Sequence, residues 1–378
     1  LLTNILSPYR VPAFRALGVT PDWRLLVCVN AASEFDRSWR VDTSGLEVER
    51  IRSWSFVRGG RTLHVPSPWS LARSLRRFRP DVVVSAELGA RTLLAWLYCA
   101  LFRIPLVVWA EPTRARLRDA DRLRRRLGPF LLERAAAVAV PGGEALRALA
   151  GWGVPAQRLH RAPNVHDAEA FEKALASLDR DALHRDLRAG LGARARIALV
   201  AGRLLEVKGI LPLLEAWQRL PSALRDAWTL LFVGSGPLAP EVERAQQSHP
   251  PGEILRVPAL QPIELVAFYA AADLLVFPSL GDVWGIAVNE AMACGLPVLC
   301  SSRAGCAEDL LRPGENGWLV DPLDADAFVA TLEQALRSDQ RERLGERARE
   351  RVAGLTAEAL AEGLRRAVRA ARAAPPAS

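Results

Sequence analysis

Two short stretches in the second half of this chain combine glycines, cations and carboxylates at spacings that could hold a phosphorylated ligand. In Ala201-Gly202-Arg203-Leu204-Leu205-Glu206-Val207-Lys208-Gly209, glycine lets the backbone turn close to a ligand, and two cations five positions apart flank the start of a helix. Charge pairing together with the free amides of a helix N-terminus suits a diphosphate, and the same groups would stabilise it as it leaves. Lys208 stands out because 48 of the 50 cationic residues are Arg, and the other lysine, Lys173, lies in a polar helical stretch that reads as surface.

The second stretch runs from Phe277-Pro278-Ser279 through Asp282, Trp284, Gly285 and Ile286 to Glu290, ending at Cys294-Gly295-Leu296-Pro297. A strand ending at Phe277 would feed a loop that presents Asp282. Gly285 would open a helix, with Glu290 five residues in, ~7.5 Å along the axis. Two carboxylates with helix-start amides between them can accept hydroxyls on either side of a phosphate, one from a sugar and one from a ribose. A third turn, Val233-Gly234-Ser235-Gly236-Pro237, is equally open to a binding role and to plain strand-to-helix packing.

These residues need a scaffold that brings several strand ends together. Short apolar runs alternate with helical patterns along the whole chain, the signature of α/β architecture with parallel sheets and crossover helices. In the first half, strands are expected at 1–6, 23–29, 81–85, 105–109 and 136–140, with a last one over 158–164. Helices are expected at 12–17, 70–78, 90–102, 114–127 and 143–150. The second alternation has strands at 197–200, 229–233, 254–257, 274–277, 298–301 and 318–320. In such sheets ligands sit outside the carboxyl ends of the strands. Both candidate stretches directly follow strands. At 378 residues the chain has material for more than one core. The divisions are 1–163, 164–355 and a terminal helix and tail, 356–378, with Thr356 as N-cap.

Taken together, these motifs resemble the signature of the family 4 retaining glycosyltransferases. An acid, seven residues and a Glu end that family's donor motif. Here Asp282 stands where the family most often has Glu. The resemblance extends through Gly202-Arg203 with Lys208-Gly209, Gly234-x-Gly236-Pro237, Tyr269 to Asp273, Pro278-Ser279 and Gly314 to Gly317, with Pro163-Asn164 and Asp167 at the hinge. It implies the GT-B fold: two Rossmann-like doubly wound parallel-sheet domains facing a central cleft, with the last helix crossing back onto the first. It also implies a metal-independent, configuration-retaining transfer of a sugar from a nucleotide-diphosphate donor to a glycan or polyprenyl-linked acceptor in the bacterial cell envelope. Arg203 and Lys208 would bind the donor phosphates, Asp282 and the backbone of Trp284, Gly285 and Ile286 the sugar, and Glu290 the ribose. The turn at Pro258 to Leu260 would hold the base. On the acceptor side, Tyr9 and Arg10 follow the first strand, and Glu111 ends a strand where many members carry a histidine near the reacting sugar. Two other readings share the architecture: a non-catalytic nucleotide-sugar-binding protein, and a sugar-nucleotide epimerase, for which no acid/base set is evident.

Composition narrows the partners. No His, Asp, Glu or Cys cluster has metal-ligand spacing, and no cofactor is expected. Five cysteines without a C-x-x-C pair read as buried small hydrophobes in a cytoplasmic protein. The run 92–102 is half the length a membrane span needs. Nothing reads as a signal peptide, and the sole methionine, Met292, implies a lost initiator. The surplus of eight positive charges could serve a nucleotide or an anionic membrane; no recognition element for nucleic acid is present. From Arg114 to Leu131, arginines including Arg118, Arg122 and Arg125 alternate with Leu117, Ala120, Leu123, Leu127 and Phe130 at helical spacing. A helix lying on the inner face of the cytoplasmic membrane and an ordinary domain helix are both open for it.

Overall fold

The apolar runs become strands because each is hydrophobic on both faces, as a parallel sheet covered by helices on both sides requires. In the computed structural model, residues 1–32, 39–58, 61–118 and 122–374 are described. The chain divides into two compact units: unit 1 comprises Leu1–Asp167 with Leu355–Ser378, and unit 2 comprises Ala168–Gly354.

Unit 1 contains β1 (Leu2–Thr3), β2 (Leu26–Val29), β3 (Glu47–Arg50), β4 (Ser53–Arg58), β5 (Arg61–Pro66), β6 (Val83–Ala86), β7 (Leu106–Trp109), β8 (Ala137–Val140) and β9 (Leu159–Arg161). Seven of these form one sheet in the order β3-β2-β1-β6-β7-β8-β9, and β4 pairs with β5 alone. Every pairing in the large sheet is parallel, while β4 and β5 are antiparallel. Leu2, Leu26, Val83, Leu106 and Val138 bury one face of the sheet. On the other face, Val27, Val107 and Ala139 pack with Phe14 and with Leu360, Ala361, Leu364 and Ala367 of the last helix, Ala357–Ala373. That helix therefore completes unit 1 although it ends the chain. Thr356 caps it, its hydroxyl accepting from the Ala359 amide at 3.2 Å.

Unit 2 contains β10 (Arg196–Ala201), β11 (Trp228–Val233), β12 (Ile254–Val257), β13 (Leu274–Phe277), β14 (Val298–Ser301) and β15 (Gly317–Val320). They form a second parallel sheet in the order β12-β11-β10-β13-β14-β15. The order reverses between β10 and β13, which makes that crevice the switch point of the fold.

Several expectations need correction. β3 and the β4–β5 hairpin were not expected: β3, Glu47-Val-Glu-Arg50, lies at the edge of the sheet, where charge is tolerated and no apolar run forms. The single helix expected over 114–127 is two, Arg114–Arg118 and Arg122–Arg134, and the second continues past Pro129. Asp119, Ala120 and Asp121 of that reading lie outside the described residues, as do the side chains of Arg118, Arg122 and Leu123. Its apolar positions Phe130 and Leu131 turn inward: Leu131 is fully buried, and Phe130 meets Trp96 edge-on at 4.9 Å. The last strand of unit 1 is shorter than 158–164, because Asn164 to His166 are buried in an irregular segment before the boundary at Asp167. All five cysteines are buried and unbridged. Burial pushes the Cys99 thiol up to about 12, which keeps it unreactive.

Candidate functional site

The loop after β10 is shaped by glycine. Gly209 has φ +70°, and a Cβ there would lie 1.9 Å from the Pro278 carbonyl, so only glycine lets this loop meet the end of β13. Gly209 also precedes the helix Ile210–Gln218, which has no acidic residue in its first turn. Val207 ties the two loops together by accepting hydrogen bonds from the Leu280 amide at 2.8 Å and the Ser279 hydroxyl at 3.0 Å. Across this junction the Lys208 ammonium forms an ion pair with the Asp282 carboxylate and stands 5.4 Å from the Phe277 ring centroid. Gly202, Arg203, Lys208, Phe277 and Pro278 line a small concavity at this junction. Two residues assigned from sequence to a phosphate and to a sugar thus occupy one place, directly over the switch point.

On the far side of that loop, Gly285 (φ +112°) opens the helix Ile286–Ala293, and a Cβ there would strike the Phe277 ring at 2.9 Å. This helix too has no acid in its first turn, so the positive ends of two helix dipoles meet the same edge of the sheet. The Trp284 ring is buried, its Nε1 donating to Asn289 Oδ1 at 2.8 Å, and its backbone is engaged as well, the amide donating to Asp282 Oδ1 at 3.5 Å and the carbonyl accepting from the Cys306 amide at 3.2 Å. Glu290 is also buried and accepts a hydrogen bond from the Tyr269 hydroxyl at 2.8 Å. Burial raises its carboxyl to about 7 against the opposing Tyr269 bond.

Gly234 and Gly236 press on the first loop: a Cβ at Gly234 would lie 1.9 Å from the Gly202 carbonyl, and one at Gly236 would lie 2.5 Å from that of Leu204. The close approach gives this turn a packing function, holding the Gly202 loop in place. Ser235 bridges onward, its hydroxyl accepting from the Ala259 amide at 3.1 Å. Pro258 to Leu260 therefore joins the same chain of strand ends.

The strand ends of unit 1 carry side chains instead. The Arg10 guanidinium pairs with Glu111 and lies 4.3 Å from the Trp109 ring centroid and 5.7 Å from that of Tyr9. Burial pulls its pKa down, but the attraction of Glu111, helped by Tyr9 and Glu87, leaves it raised. Between β1 and β6, the reversal point of this sheet, Asn4 Nδ2 donates to the Glu87 carboxylate at 2.9 Å. Beneath them the buried Arg91 donates to Asn4 Oδ1 and to the Ala86 carbonyl. Glu87 adopts φ +71°, a strained conformation for a residue with a side chain.

Comparison with known proteins places this geometry. A family model described as "Glycosyl transferases group 1" matches residues 166–351, and one described as "Glycosyltransferase Family 4" matches residues 14–170. The chain belongs to the family 4 glycosyltransferases. Among curated relatives, the O-antigen chain mannosyltransferase B of Escherichia coli is 33% identical over 38% of this chain and 37% of its own length. The lipopolysaccharide 1,2-N-acetylglucosaminetransferase of Salmonella typhimurium is 28% identical over 58% of both chains. The matches thus span roughly a third to just over half of those relatives. Anabaena HepE, solved with UDP-glucose, superposes with a TM-score of 0.75 at 16% identity over 97% of this chain and 98% of its own. Sucrose-phosphate synthase from Thermosynechococcus elongatus gives 0.75 at 21% over the same shares. The fold of the glycosyltransferase is accordingly GT-B.

Sequence reasoning missed Asn4, Glu87 and Arg91 of this glycosyltransferase. The rule applied to the second half would have found Glu87, since it directly follows a strand expected over 81–85. Tyr269 was quoted in a motif, but its bond to Glu290 joins residues 21 positions apart and leaves no local signal. Of the histidines, His166 is buried, and burial holds its pKa down at about 4, so it stays neutral.

Proposed function

We propose that the protein transfers a sugar from a nucleotide-diphosphate donor held by unit 2, with retention of configuration and without a metal. The observation that carries this reading is the Lys208–Asp282 pair over the switch point between β10 and β13, set between two helix N-termini. Arg203, Lys208 and those amides would take the charge that develops on the leaving diphosphate. Asp282 and the Gly285–Ile286 backbone would orient the sugar, and Glu290 the ribose. Among the described residues no three His, Cys, Asp or Glu side chains form a group that could hold a metal ion.

Unit 1 is assigned the acceptor, with Tyr9, Arg10 and Glu111 at its strand ends. The names of the relatives, an O-antigen chain mannosyltransferase and a lipopolysaccharide N-acetylglucosaminetransferase, support a glycan acceptor in bacterial envelope synthesis, and a polyprenyl-linked glycan is the form we propose beside a free one. The setting we assign to the protein is cytoplasmic, at an anionic membrane face. No described helix is long and apolar enough to cross a membrane. A thermal-shift screen with nucleotide sugars tests the donor half: a donor at a hundred times its Kd stabilises the fold by about 2.7 kcal/mol. Product analysis with the stabilising donor then tests the transfer. Stabilisation by no nucleotide sugar would remove the reading; binding without transfer to any glycan or hydrolysis would leave a nucleotide-sugar-binding protein.

A further inference from the structure

The β4–β5 hairpin is apolar on the side that proteins usually keep polar. Trp54 and Phe56 lie two apart in β4 and so share a face, directly opposite Val65 and Leu63 of β5, and each of the two aromatic residues is 57% exposed. His64 is buried on the opposite face, where Ser55 Oγ meets its Nδ1 at 2.8 Å. Trp69, in the first turn of the helix Pro68–Phe78, is 86% exposed.

β5 packs beside the helix Ala90–Phe102, whose only charged residue, Arg91, is buried. A helix apolar all round is normally enclosed. This one exposes Leu97 and Leu101, the latter at 76%.

Charge says what covers this face. Residues 51–134 carry 17 arginines against six carboxylates, while the rest of the chain is acidic by three. A second copy packed on the same face would set like charges against each other. An anionic bilayer answers both features, taking Trp and Phe at its interface and arginine at its phosphates.

We propose that the aromatic face of β4 and β5, Trp69 and the outer side of Ala90–Phe102 form a docking face for an anionic lipid bilayer. The membrane-facing reading of residues 114–131 is thereby relocated. Phe130 and Leu131 are used inside the protein, so that segment contributes its arginines while the hairpin supplies the apolar anchor. The inference rests on the membrane setting of the proposed function and is independent of donor chemistry, because vesicle binding is measured without any nucleotide.

The test is sedimentation with vesicles of phosphatidylglycerol and phosphatidylcholine against phosphatidylcholine alone, at low and high salt. Wild-type protein should bind the anionic vesicles and release as salt rises, with little binding to neutral ones. A Trp54→Ser, Phe56→Ser, Trp69→Ser triple variant should lose at least about ten-fold in binding even at low salt, with nucleotide binding kept as proof of folding. Arg125→Gln with Arg126→Gln should lose about five-fold per charge at low salt. Wild-type tryptophan emission should be quenched by lipids brominated on their acyl chains. Wild-type protein that ignores anionic vesicles, a triple variant that binds undiminished, or binding without bromine quenching would each overturn the proposal. So would a dimer in light scattering that the triple variant breaks while vesicles go unbound.

Discussion

Both units end their strands at a crevice where the sheet order reverses, yet the two crevices are built from different chemistry. Between β10 and β13, Gly202 and Gly209 turn with positive φ, Gly209 lets loop backbone approach closely, and helix amides and cations predominate. Between β1 and β6 the left-handed position is held by Glu87, and Arg91 stands 4.0 Å from its carboxylate. Arg10 in turn is matched by Glu111. A phosphate needs bare backbone and positive potential, whereas a hydroxylated ligand needs side-chain acceptors in a near-neutral setting. On the function proposed above, one edge of one fold would serve two ligand types by exchanging glycine for acid–base pairs.

The largest effect should come from breaking the positive edge of unit 2. Lys208→Ala should lower transfer on the order of 10²-fold or more, with little change in melting temperature, since its ion pair is partly exposed. Lys173→Ala, on an exposed helix surface, should leave the rate unchanged. Equal losses in the two variants would show that Lys208 is no clamp.

The next effect separates the two carboxylates of unit 2. Glu290→Gln should weaken free nucleoside diphosphate and donor alike, about ten-fold, while Asp282→Asn should weaken only the sugar-bearing donor. Calorimetric titration of both ligands distinguishes them, and normal binding of free nucleotide by both variants would cancel the assignment. Stability gives a second readout. Glu290 titrates near 7 when folded and near 4.5 otherwise. The folded state therefore holds the extra proton between those values, and its contribution is full below about 4.5 and lost as pH rises through 7. Thermal melts should show wild type losing ground to Glu290→Gln across that window, and parallel curves would contradict a buried titrating Glu290.

Smaller effects are expected in unit 1. Arg10→Ala should raise the acceptor KM several-fold, roughly what a charge-assisted contact contributes, and leave nucleotide binding untouched. A change in nucleotide affinity would dissolve the division of roles. The smallest effect is none: transfer should survive EDTA, and loss of activity restored by magnesium or manganese would show that the cations of unit 2 do not suffice.

Much of unit 2 was legible residue by residue, because its strands are short apolar runs and the groups proposed to bind ligand sit within a few positions of each strand end. Unit 1 was harder to read. β3 is charged, as an edge strand can be, and the hairpin turns its aromatic residues outward, so neither has the apolar signature of a core strand. Arg10 and Glu111 are 101 positions apart, and their pairing follows from the adjacency of two strand ends in the folded sheet.

Local chemistry in the sequence by itself determined the strand-to-turn pattern of unit 2, the glycines its loops require and the carboxylates near its helix starts. Tertiary structure decided which of those groups meet. It set Lys208 against Asp282 and buried Glu290 beside Tyr269, returned the last helix to unit 1, and left the hairpin's aromatic face exposed. These are outcomes of strand order and of burial. Both depend on contacts between distant residues, for which a linear pattern carries no distance.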